Sequence, residues 1–133
     1  MPRDEIYMDK TGILLYGYSE ADAMSLRGAI EDCLNRDIVL LSASGMEEKT
    51  LREVLELAEC SNFEENGTPI MMFLAFSDED IQKALRAVSV AKVKRPIFCT
   101  PTNENIHWPL KALIDHLRNE DNYWKGSSWK GRK

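Results

Sequence analysis

Four residues able to bind a ligand, Thr100, Thr102, Asn103 and Asn105, share one polar stretch that runs directly into His107 and Trp108. Hydroxyls and amides can hydrogen-bond a phosphate or carboxylate, and a helix starting behind them adds backbone N–H donors. His107 is the imidazole nearest this stretch, so a reaction here would use it as general base. Ser42 and Ser44 occupy a matching position earlier in the chain, in Ser42-Ala43-Ser44-Gly45. The candidate ligand-binding residues are therefore Ser42, Ser44, Thr100, Thr102, Asn103, Asn105, His107 and Trp108. The competing reading is that the hydroxyls and amides only cap helices and close turns. No catalytic role can be assigned from spacing, because nucleophile and base meet in space and not along the chain.

Other chemistries fit less well. His107 and His116 are on no metal-ligand spacing. Glu20, Asp22, Asp78 and Asp80 are better placed to cap helices than to hold a metal, so no metal site is expected. There is no G-x-G-x-x-G and no Walker lysine motif, so no cofactor is expected. Cys33, Cys60 and Cys99 lack C-x-x-C spacing and read as reduced, small apolar residues. The apolar runs are strand-sized, and the acidic start, Met1 to Glu5, is unlike a signal peptide. A cytoplasmic protein with no membrane contact is the expectation.

Charge is unevenly spread. Residues 1–121 hold all 22 acids and 13 of the 17 bases, and so carry −9. Residues 122–133 hold four bases and no acid, together with Trp124 and Trp129. They read as a flexible basic tail, the one part suited to nucleic acid. Residues 1–121 read as a single domain.

The elements that would position these groups recur at an offset of 58 residues. Leu14 to Ser19 falls on Met72 to Ser77, Asp22 on Asp80, and Val39 to Ser42 on Ile97 to Thr100. Each copy has an apolar run, a serine followed by acids, a helical stripe, a second apolar run and two hydroxyls. Ser19 and Ser77 are placed to cap a helix by accepting from the N–H three residues on. Ala23, Leu26, Ile30, Cys33 and Leu34 form one helical stripe; Leu51, Val54, Leu55 and Ala58 a second. Ile81, Ala84, Leu85 and Val88 form a third, and Leu110, Leu113, Ile114 and Leu117 a fourth.

Continuously apolar strands are covered on both faces. The expectation is an α/β fold of two βαβα repeats, residues 13–60 and 70–118. They would form a four-stranded, mainly parallel sheet, order 2-1-3-4, with helices on both faces. In the fully parallel form all four strands agree in direction. The first and fourth helices then share one face, the second and third the other. A ligand would sit where the winding reverses, at the strands' C-terminal ends. An α+β arrangement with an antiparallel sheet is the alternative.

The motif Thr102-x-x-Asn105-x-x-Trp108-x-Leu110-x-x-Leu113-Ile114 resembles a short prokaryotic family, domain of unknown function 3783, mainly over residues 69–119. The resemblance implies no established activity. The first half departs from the motif, with Thr50 near the position of Trp108 and no match for Asn105.

The sequence favours a ligand-sensing or protein-interaction module over an enzyme. The alternatives are a small enzyme using His107 and the Thr100–Asn105 loop, and nucleic-acid binding through the tail. Partners in keeping with the pattern are a small anionic ligand or a protein. A homodimer would pair the acidic second helix with Lys83, Arg86, Lys92, Lys94 and Arg95.

Overall fold

A computed structural model of the protein describes residues 11–125, with side chains as far as residue 120. The first half contains β1 (Gly12–Tyr16), α1 (Glu20–Leu34), β2 (Val39–Ser42) and α2 (Leu51–Leu57). The second contains β3 (Ile70–Leu74), α3 (Asp78–Val90), β4 (Ile97–Cys99), one 3-10 turn (Asn105–His107) and α4 (Leu110–Lys125). The sheet order is β2-β1-β3-β4, with helices on both faces.

Local chemistry sets the helix starts. Ser19 accepts from the N–H of Asp22 at 3.3 Å, and Ser77 from that of Asp80 at 3.1 Å. Acids in both first turns face the positive end of the helix dipole. Thr50 and Glu53 form a reciprocal capping box for α2. α1 ends at Asn35, left-handed at φ 60°, whose N–H returns to the Glu31 carbonyl. Cys33, expected in the apolar stripe, is exposed, and its Sγ lies 3.3 Å from the Lys83 carbonyl oxygen. α4 continues to Lys125, past residue 122 where the sequence suggests a tail; residues 126–133 lie outside the described part.

The outer pairs β1·β2 and β3·β4 are parallel, but the central pair β1·β3 is antiparallel. The sheet is mixed, and the fully parallel form is corrected. In the central pair Leu14 sits opposite Met72, which is its own counterpart at the 58-residue offset. The local two-fold of the β1·β3 pair is normal to the sheet and passes between those residues. An axis in that direction reverses strands but keeps each helix on the face of its counterpart.

The helix layers follow from this and correct the expected pairing. α1 and α3 share one face, over Ile13, Leu15, Leu40, Met71 and Phe73. α2 and α4 share the other, over Leu14, Ile70, Met72 and Leu74. At the second face the chain segments that start α2 and α4 meet. The Leu51 N–H donates to the Trp108 carbonyl at 2.8 Å, and the Leu110 N–H to the Lys49 carbonyl at 2.7 Å. Across the first face Arg36 reaches Asp80 at 2.7 Å, tying the two halves.

Candidate functional site

Reversal of the central pair divides the candidate residues between opposite ends of the sheet. β1 and β2 finish at one end with Ser42 and Ser44; β3 and β4 finish at the other with the Thr100 loop. No single switch-point crevice gathers all eight.

Ser42 and Ser44 are buried and their oxygens are used by the connector between the halves. The Ser42 hydroxyl donates to the Asn62 carbonyl at 2.8 Å, and the Ser44 oxygen accepts from the Glu64 N–H at 3.1 Å. Thr102 and Asn105 bond each other reciprocally, at 2.8 and 2.9 Å, and the Asn105 amide also donates to the Thr100 carbonyl. That geometry closes a turn and occupies the Thr102 oxygen and the Asn105 amide. Asn103 and His107 are exposed, and among the described residues no hydrogen bond joins His107 to a hydroxyl or carboxylate. Trp108 lies edge-on against His116, ring centroids 5.2 Å apart.

Of the eight, Thr100 lines an open depression. It consists of two adjoining cavities of about 300 and about 330 Å³ on the α1/α3 face, between α3 and β4. Phe73, Ile81 and Thr100 are shared by both. Ala75, Phe76, Asp78 and Pro101 complete the first; Leu85, Arg95, Phe98 and Cys99 the second. Ile81 and Leu85, one helical turn apart, face this groove half-buried instead of sealing the core. The Phe73 ring stacks on Phe98 at 5.7 Å between centroids and meets Phe76 at 4.9 Å. The Arg95 guanidinium lies over Phe98, 5.4 Å from its centroid. Burial pushes the Cys99 thiol up to about 12, so it holds its proton at neutral pH and is no thiolate nucleophile.

The Arg95 loop is anchored from the first half. The Tyr18 hydroxyl donates to the Lys94 carbonyl, and burial, with Asp22 nearby, raises Tyr18 far above its ordinary value. On the opposite face burial and a 2.8 Å hydrogen bond to Glu47 push Tyr16 up to about 12. Both phenols are therefore neutral donors at physiological pH, holding loops in place.

The sequence reading missed the groove, although a signal was present. At positions 58 apart, Ala23 stands for Ile81, Arg27 for Leu85 and Leu40 for Phe98. The second half carries the larger apolar group each time.

The family model described as Domain of unknown function (DUF3783) matches residues 69–124, under half of the chain and coextensive with its second half. The groove residues all fall within that segment. No curated protein matches the chain, and no solved structure does.

Proposed function

We propose that the protein is a protein-interaction module whose binding face is the groove between α3 and β4. The observation that carries this reading is the groove's composition. Three phenylalanines, Ile81 and Leu85 form an apolar floor beside an exposed cation, Arg95, on a sheet edge. Apolar anchors with a polar rim are what binding surfaces use, and Arg and aromatic residues carry much of their affinity. An acid–base pair aimed at a common point would favour catalysis, but the Thr102 and Asn105 side chains nearby each accept from the other's backbone N–H.

The test is site-specific photo-crosslinking in cells. A photoreactive phenylalanine analogue replaces Phe98, or Glu56 on the outer face of α2 as a control. The reading predicts a discrete adduct from position 98 that disappears in an Ile81→Glu background with unchanged unfolding temperature. Equal adducts from both positions, or none from position 98, would contradict it.

A further inference from the structure

The first half shows what fills the counterpart of this groove. There the connector after α2 crosses the C-terminal end of the β2 edge. The Ser42 N–H donates to the Glu59 carbonyl at 2.8 Å, in an antiparallel bridge, and the Ser42 hydroxyl to the Asn62 carbonyl at 2.8 Å. Phe63 then packs against the core of the α1/α3 face. Leu40 and Ala23, which belong to that core, are sealed from solvent. In the second half the equivalent stretch of chain is part of α4, on the other face, so nothing in cis takes the connector's place among the described residues.

The edge left open is suited to the same kind of occupant. The Ile97 N–H donates inward to the Pro69 carbonyl at 2.9 Å, so the N–H groups of Phe98 and Thr100 point outward. Thr100 is the counterpart of Ser42 and offers the same pair of donors, an N–H and a hydroxyl. Among the described residues no carbonyl receives that N–H. An unpaired strand edge is a template for another strand.

Charge selects among strands. Arg95 stands where the first half has Asp37, and Lys92 and Lys94 are exposed beside it. Asp78 closes the far end. The Ala75 methyl also marks a limit, because a Cβ at its counterpart Gly17 would meet Asn66 Oδ1 at 2.7 Å and the Thr68 carbonyl oxygen at 2.8 Å. An occupant can follow the path of residues 59–63 but must leave the surface before Ala75.

We infer that the groove binds an extended segment of a partner protein, added antiparallel to β4, with an aromatic side chain in the Phe73–Phe98 cavity and carboxylates at Arg95. The inference rests on the reading of the groove as the binding face. The partner segment reproduces in trans the backbone bridge of Glu59 and the aromatic packing of Phe63 that the connector supplies in cis, and adds the carboxylates that Arg95 calls for.

The experiment is a 15N NMR titration of the full chain with three probes. They are a peptide of sequence 58–66, the same peptide with its phenylalanine replaced by alanine, and N-acetylphenylalanine. The expected result is saturable shifts at residues 97–100, weakened about fivefold or more by the alanine peptide, by Arg95→Glu and by raised salt. If N-acetylphenylalanine shifts those amides and the peptide does not, strand addition is overturned while the groove stands. If no probe shifts them up to about 1 mM, both fall. Shifts that grow with protein concentration alone identify a second copy as the occupant and overturn the hetero-partner. If the groove amides respond to the peptide only once residues 1–10 are deleted, and not in the full chain, the occupant is the chain's own segment and the hetero-partner is overturned likewise.

Discussion

Gly17 and Ala75 show how one backbone position serves two surroundings. Both have positive φ, 88° and 60°, at matching places after the central strands. Gly17 is closed in by Asn66, Thr68 and Pro69, so only a residue without Cβ fits. Ala75 keeps its methyl beside an open cavity and bears the left-handed strain. Ala75→Gly is expected to stabilise the fold by about 1 kcal/mol, and Gly17→Ala to cost about 2 kcal/mol or more. Denaturant midpoints check both, and a destabilised Ala75→Gly would show that the methyl packs. Asp80 makes a second prediction at this scale. Its hydrogen bond from Arg36 holds its carboxyl below the ordinary carboxylate value. A carboxylate depressed on folding contributes stability above its unfolded value of about 3.9, and loses it as pH falls toward the folded value. Asp80→Asn should therefore lower stability at neutral pH and converge with the parent in strong acid; a constant gap across that window would refute the assignment.

At the scale of elements, the two edge strands are counterparts with different cover. Leu40 is sealed, whereas Phe98 is half-buried above the groove. Leu40→Ala should cost about 2–5 kcal/mol, and Phe98→Ala, the larger truncation, about 2 kcal/mol or less. Equal losses would mean that Phe98 is as enclosed as Leu40. Both serine caps and the fourth helical stripe were legible, because a cap needs only a hydroxyl at fixed spacing and a stripe only a 3.6-residue period. The exposure of Ile81 and Leu85 was not, because an apolar residue at core spacing carries no mark of whether a neighbouring segment will cover it.

For the whole molecule, the strand order was legible in the 58-residue offset, but the sense of the central pair was not. A two-fold axis along the strands and one normal to the sheet both give β2-β1-β3-β4. Strands covered on both faces read as continuous apolar runs in either case. That single choice decided the site. With parallel strands the Ser42 and Thr100 loops would lie at one end of the sheet; with β1 and β3 antiparallel they lie at opposite ends, one lined by the connector and the other open. The segment matched by the domain-of-unknown-function family is the half with the open edge. Among the described residues no helix is long and apolar enough to cross a membrane.

Amide hydrogen exchange at Ser42 and Thr100 tests most directly whether the second-half edge is a vacant counterpart of the first. Their N–H groups occupy matching positions at the 58-residue offset, yet among the described residues only that of Ser42 meets a carbonyl, Glu59 at 2.8 Å. In the free protein Ser42 should be protected and Thr100 should exchange near the rate of an open chain. Adding the peptide of sequence 58–66 should slow Thr100 and leave Ser42 unchanged. A Thr100 amide as protected as Ser42 in the free protein, or one that the bound peptide leaves fast, would contradict the account.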